Sequence, residues 1–225
     1  MSAGDWQAIG VTLRLAAATT LMLLLLGTPL AWWLARTRSR AATWVESLVA
    51  LPLVLPPTVL GFYLLVLMGP QGAVGQALAA VNVPPMVFSF WGLVLASVIS
   101  SLPFMVQPLR DAFAAIAPRV LDAAATLRAT PLDAFFSVAA PLARRGFLSA
   151  LTLTFAHTVG EFGVVLMVGG NIPGATRVLS IAIYDHAEAM NHGAAHALAG
   201  GLLLASFAAL LALNLANRRR MVIAT

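Results

Sequence analysis

Five runs of mostly apolar residues, about Leu15 to Ala35, Ser47 to Met68, Met86 to Leu109, Phe147 to Val168 and Ala195 to Ala216, leave this chain little choice of architecture. Each has the roughly 20 residues that an α-helix needs to cross the hydrocarbon core of a bilayer. Lipid offers the backbone no hydrogen-bond partner, so a run of this kind must satisfy its own amides and carbonyls as a helix. With 9% charged and 60% hydrophobic residues and a mean hydropathy of +0.92, the chain lies outside the range of soluble globular domains. The expected fold class is all-α: one polytopic transmembrane helical bundle over residues 1–225, with about five spanning helices.

Charge placement orients the bundle. All thirteen basic residues are arginine. Arg36, Arg38 and Arg40 follow the first run, Arg110, Arg119, Arg128, Arg144 and Arg145 lie between the third and fourth, and Arg218 to Arg220 follow the fifth. In a five-helix topology these clusters share one side, and the positive-inside rule makes that side the cytoplasm. The amino terminus is then outside and the carboxyl terminus inside, with Arg14 and Arg177 near the outer face. The net charge of +5 thus reflects topology and calls for no nucleic-acid partner. The first run reads as a retained helix rather than a cleaved leader. Trp6, Trp32, Trp33 and Trp44 stand where interfacial rings should, although ordinary packing accounts for any one of them equally. Two outer loops are short and rich in turn formers, with Gly69, Pro70, Gly72 and Gly75 in one and Gly169, Gly170, Asn171, Pro173 and Gly174 in the other. The chain has no cysteine, which removes disulfides and thiolate chemistry.

The sizeable non-spanning segment is 110–145, on the cytoplasmic side. Asp122 to Arg128 is rich in helix formers. Thr130 can cap a second short helix that opens with Pro131 and carries Asp133 in its first turn, where the helix dipole favours a carboxylate. Leu132, Phe135, Phe136 and Ala139 supply that helix with an apolar face. A helical hairpin of this kind either rests on lipid headgroups or offers an apolar knob to a soluble partner, and the pattern alone fits both.

Inside the fourth run, His157-Thr158-Val159-Gly160-Glu161-Phe162-Gly163 places an ionisable residue at membrane depth, where it costs free energy unless it faces protein, water or a partner. His157 precedes Glu161 by four residues on one helical face, so the two can pair. Gly160 and Gly163 allow a bend or a close helix approach. Either a pathway element or a structural polar contact fits. One His and one Glu without a nucleophile or a third ligand make neither a hydrolase nor a zinc site. His186, His192 and His196 are too loosely spaced to specify a metal. In the second run Pro52, Pro56 and Pro57 remove amide donors, so that helix must kink or break, and Pro103 and Pro108 act likewise in the third.

Several of these runs carry a resemblance. Asp122-Ala123-Ala124, three residues, Arg128, nine residues, then Val138 to Pro141 is similar to the EAA loop of ABC-importer permeases, usually Glu-Ala-Ala, three residues, Gly, nine residues, Ile, any residue, Leu-Pro. Asp122, Arg128 and Ala140 depart from Glu, Gly and Leu; arginine in place of glycine puts the usual sharp turn at that corner in doubt. Together with Leu55 to Tyr63, Met68 to Gly72, Gly160-Glu161-Phe162-Gly163, Gly170 to Gly174 and Ile181 to Tyr184, the loop makes residues 10 to 215 resemble the molybdate ABC-transporter permeases. Sulfate permeases look alike but have Gly-Glu-Tyr-Gly at the third of these motifs.

The resemblance implies a bacterial inner-membrane permease subunit of an ATP-driven importer for molybdate, and for tungstate as well; a sulfate or thiosulfate permease is the nearest alternative, a secondary transporter a more distant one. It implies a second copy of this chain, two cytoplasmic ATP-binding subunits and a periplasmic or lipid-anchored binding protein. ATP and Mg would sit on the partner ATPase, because this chain has no lysine and no phosphate loop; no catalytic residue or cofactor is expected in it. Asp122, Ala123, Ala124, Arg128, Thr130, Pro131, Leu132, Phe135, Phe136 and Pro141 would form a coupling helix for the ATPase. His157, Gly160, Glu161, Phe162, Gly163, Pro56 and Pro57 would line a pathway or gate. Asn171, Pro173 and Arg177, placed by position alone, would meet the binding protein.

Overall fold

The computed structural model describes residues 1–219, apart from the side chains at 214 and 216–219. The arginine cluster expected at Arg218 to Arg220 therefore lies outside the described side chains. The helices are α1 (Ala3–Arg36), α2 (Arg40–Val54), α3 (Pro57–Met68), α4 (Ala73–Ala80), α5 (Phe90–Ala114), α6 (Pro118–Thr126), α7 (Pro131–Ala134), a π-helical turn (Phe135–Ala139), α8 (Ala140–Leu142), α9 (Arg144–Gly160), α10 (Gly163–Gly169), α11 (Leu179–Glu188) and α12 (His192–Arg219). No strand occurs among the described residues.

The helices begin where hydroxyl side chains can take up the free amides of a first turn. Ser2 and Asp5 cap each other reciprocally at the start of α1, and Ser39 and Ser89 accept from backbone amides at the starts of α2 and α5. At the centre lies α5, of which 67% of the most apolar window is buried, against 6% for α12. Its inward residues Leu93, Val94, Met105, Val106, Leu109 and Phe113 pack with Leu15, Leu23 and Ala31 of α1 and Ala150 of α9. Outward residues such as Leu21, Leu25, Leu203, Leu204 and Phe207 are well exposed, as a surface solvated by acyl chains requires.

Among the described residues, four helices are long and apolar enough to span, and a fifth span is completed by α9 and α10 if the 61° bend between them lies within one crossing. Two expectations need correction. The second run is not a kinked helix over Ser47 to Met68: the chain breaks at Leu55–Pro56, α2 stands apart, and the apolar span is Pro57–Ala80. Consecutive prolines leave no amide at either residue and exclude the α conformation before the second of them, so the helix ends there. Gly69, Pro70 and Gly72 do form a turn, but Gly75 lies inside α4 and the loop proper runs from Val81 to Ser89.

Candidate functional site

Three regions carry the residues singled out by the sequence. The first is the hairpin between α5 and α9. Arg128 has φ +61, in the left-handed region where a β-carbon is crowded. Its amide bonds to the carbonyl of Ala125 at 2.9 Å, and that of Ala129 to Ala124 at 3.1 Å. This pair of bonds is the Schellman closure of α6, in which the residue at the Arg128 position is normally glycine. The sharp corner that arginine placed in doubt is thus present. Thr130 and Asp133 cap α7 reciprocally, and the Thr130 hydroxyl and amide hold the Asp133 carboxyl below its usual range. Asp122, Ala123, Arg128, Pro131, Leu132 and Pro141 are exposed, while Ala124 is buried.

The apolar face expected on one side of this hairpin is divided. The π-helical turn inserts an extra residue per turn and rotates Phe135 and Ala139 inward. Phe135 packs edge-on against Trp32 at 5.4 Å and tilted against Phe113 at 5.9 Å, whereas Phe136 and Leu132 are 68% and 70% exposed. Trp32 also meets Phe113 edge-on at 5.1 Å, Phe113 meets Phe147 at 5.8 Å, and the Arg36 guanidinium lies over the Trp32 ring. Trp32 is therefore a packing residue that ties the hairpin to α1, α5 and α9, and Arg36 completes the tie by donating to the carbonyl of Phe113.

The second region is the break between α9 and α10, where Glu161 and Phe162 leave the helix and the axis turns by 61°. The Glu161 side chain is only 4% exposed. One of its oxygens accepts from Ser100 Oγ of α5 at 2.7 Å, and its freed backbone carbonyl accepts from Ser180 of α11. The expected His157–Glu161 pair is a contact of 3.7 Å, beyond hydrogen-bond reach; Ser100 holds the carboxylate instead. His157 stacks on Phe104 with ring centroids 4.1 Å apart, and its Nδ1 lies 3.0 Å from Ser101 Oγ. Phe162 packs on Tyr184 at 5.1 Å.

Gly163 works by close approach: a β-carbon there would lie 2.8 Å from that of Pro57, whereas one on Gly160 would meet nothing within 4 Å. The first residues of α3 therefore lie against the break. Pro57, Thr58, His157, Gly160, Glu161 and Gly163 border an open recess of about 530 Å³, and a smaller one of about 340 Å³, bordered by Phe104, Gln107, Asp111 and Leu53, continues along α5. Pro56 is exposed as the N-cap of α3. Ser100, Ser101 and Ser180 were missed in the sequence; hydroxyls at three- and four-residue spacing inside an apolar run, as at Ser97, Ser100 and Ser101, were the available signal.

In the outer loop Asn171 and Arg177 converge on Asp185, with Asn171 Nδ2 at 2.9 Å and Arg177 at 2.9 Å from the same carboxylate oxygen. Pro173 stays exposed at the tip. His186 is 2.8 Å from Asp5, which joins α11 to the start of α1, and His192 and His196 are not part of that contact.

Compared with known proteins, residues 27–222 match the family model described as "Binding-protein-dependent transport system inner membrane component". The chain is 59% identical over 218 residues to the molybdenum transport system permease protein ModB of Azotobacter vinelandii, covering 97% of this chain and 96% of that one. It is 37% identical over 180 residues to the protein of the same name in Escherichia coli (strain K12), covering 80% of this chain and 79% of that one. In fold it is similar to a chain of a bacterial alginate ABC transporter in complex with an alginate-bound periplasmic protein, with a TM-score of 0.73, 18% identity, and 98% of this chain and 80% of that chain covered. A bundle with a broken span, a capped hairpin at one end and a sequence that matches the family over nearly its whole length shows that the chain belongs to the binding-protein-dependent transport system inner membrane components, the membrane-spanning permeases of ABC transporters.

Proposed function

We propose that this chain is the permease subunit of an ATP-driven importer that carries molybdate, and tungstate with it, into the cytoplasm. The observation that carries this reading is the 59% identity with a molybdenum transport permease over nearly all of both chains. Two copies of the chain enclose the path, and two cytoplasmic ATP-binding subunits drive it. A periplasmic or lipid-anchored protein delivers the oxyanion to the side of Asn171, Pro173 and Arg177. The amino terminus lies outside, and the hairpin of α6 to α8 faces the cytoplasm.

Leu132 and Phe136 suit a groove on the ATP-binding subunit because they are large, apolar and exposed, and such anchors carry most of the affinity of a docking surface. Phe135 transmits what they feel to Trp32, Phe113 and Phe147. Closure of the ATPase pair then moves the helices as rigid bodies between two packed arrangements, and the break at Glu161 lets the outer part of the fourth span move separately from the inner part. ATP and Mg belong to the partner. This chain supplies neither nucleophile nor metal site to the reaction.

The test is ATP-dependent uptake of labelled molybdate by cells that lack this chain, with and without its restoration. Uptake that returns and is blocked by tungstate but not by excess sulfate is the expected result. Restored uptake of sulfate in its place would keep the permease and overturn the substrate.

A further inference from the structure

The hydroxyls at the break determine which nitrogen of His157 carries a hydrogen. Thr158 Oγ1 lies 2.9 Å from the carbonyl of Thr154, and a carbonyl only accepts, so the one hydroxyl hydrogen of Thr158 is committed there. Ser101 Oγ, 3.0 Å from Thr158 Oγ1, must then be the donor between them. With its own hydrogen spent, Ser101 can only accept at 3.0 Å from His157 Nδ1, so the ring donates from Nδ1–H. The bonds run in one direction from His157 through Ser101 and Thr158 to Thr154.

The other ring nitrogen, Nε2, has no protein partner among the described residues. The ring is held flat against Phe104, its side chain is 30% exposed, and it borders the recess shared with Thr58 and Gly163. When the ring takes up a proton, Nε2–H becomes a charged donor aimed away from the buried chain of hydroxyls. Among the groups that pack around the ring, α5 offers Ser100, Ser101 and Phe104, α3 offers Pro57 and Thr58, and α10 offers Gly163; none of these titrates. Glu161, at 3.7 Å from Nδ1, is the counter-charge. Asp111 borders the next recess along α5, and no arginine borders either recess.

We infer that His157 is the residue of this chain that touches the oxyanion in transit, donating from Nε2–H of the imidazolium to a tetrahedral dianion in the recess, with Ser101 fixing the ring. The inference rests on the oxyanion reading above. A single donor balanced by a carboxylate holds a dianion weakly, which suits a path that must release what it admits. The Glu161 carboxylate, bonded to Ser100 and almost fully covered, keeps its own charge from the ion.

Two substitutions separate the ring's nitrogens, because a glutamine amide reaches the position of Nε2 and an asparagine amide that of Nδ1. In the permease reconstituted into liposomes with its ATP-binding subunit and binding protein, His157→Gln is expected to retain most molybdate uptake, while His157→Asn loses about tenfold or more. The reverse order, or equal loss in complexes that assemble with the ATPase, would overturn the assignment and leave the ring a structural tie to Ser101. A second measurement needs no variant to fold: nitrogen-15 spectra of the histidine-labelled complex should show His157 protonated at Nδ1 and its Nε2 resonance moved by molybdate but not by chloride. An unmoved resonance in a transporting complex would also sink the inference. If the unsubstituted complex carries sulfate and not molybdate, the substrate reading fails first, and the Gln and Asn comparison is read with sulfate.

Discussion

At the Arg128 corner the chain leaves a helix by means of its own backbone. Two amides within three residues of the corner bond back into α6, Thr130 and Asp133 open the next helix locally, and the side chain of Arg128 stands in the open. At the Glu161 break the chain leaves a helix with help from far away in sequence. Ser100 holds the side chain from α5, Ser180 holds the carbonyl from α11, and Pro57 of α3 lies against Gly163. The difference follows from the solvent. At the cytoplasmic end water satisfies whatever the cap leaves over, whereas at membrane depth every freed polar group must find protein. A corner of the first kind is a rigid handle. A break of the second kind can be remade by moving the helices that supply its donors, which is what a gate requires.

The comparison breaks most sharply at Ser100. Ser100→Ala removes the hydroxyl that reaches the buried carboxylate, and a hydrogen bond to a charged group is worth about 1.5 to 3 kcal/mol. The expected outcome is thermal unfolding at a clearly lower temperature in detergent and little uptake, with Ser100→Thr restoring both. Glu161→Gln sharpens the point, since it keeps an acceptor for Ser100 and drops the charge: transport should survive if the hydrogen bond is what matters. Complete loss in a normally assembled Glu161→Gln complex would make the charge itself the requirement and return the break to the ion path.

A smaller effect separates the two faces of the hairpin. Phe135→Ala withdraws a half-buried ring from the cluster with Trp32 and Phe113 and should destabilise the permease itself by about 2 kcal/mol. Phe136→Ala touches only the exposed side. It should leave insertion and thermal stability unchanged while co-purification with the ATP-binding subunit falls by about tenfold. Equal effects of the two substitutions on stability would contradict the division made by the π-helical turn.

How much of this was readable in advance follows the same line between local and distant. The spans set by composition, the cap at Thr130 and the hairpin itself depend on residues close in sequence, and the chain shows them. The second span was misplaced because hydropathy runs smoothly through Leu55 and Pro56, and only the backbone cost of consecutive prolines ends α2 there. Trp32 was read as an interfacial ring because nothing near it in sequence discloses Phe113 and Phe135. Glu161 was paired with His157 because an i to i+4 neighbour is the partner a sequence displays, whereas Ser100 and Ser180 reach it only once α5 and α11 are packed. The π-helical turn has no signature in the residues Phe135 to Ala139 that would tell it from an α-helix.

The smallest predicted effect is also the most local. Arg128 sits at φ +61, where an L side chain is crowded by about 1 kcal/mol or more relative to the right-handed region and glycine is not. The two Schellman bonds that hold it there are backbone bonds and would persist in Arg128→Gly. The substitution should therefore stabilise the hairpin by something under 1 kcal/mol once the greater freedom of glycine in the unfolded chain is counted against it. Hydrogen exchange at Ala129 and Thr130 is the measurement, because it reads opening of the corner alone. Slower exchange with unchanged ATPase association would show that arginine is tolerated strain at the corner. Slower exchange with weakened association would show that the guanidinium, exposed beside Leu127 and Leu132, meets an acidic group on the ATP-binding subunit, and the steric cost would then be the consequence of placing a charge where the fold prefers glycine.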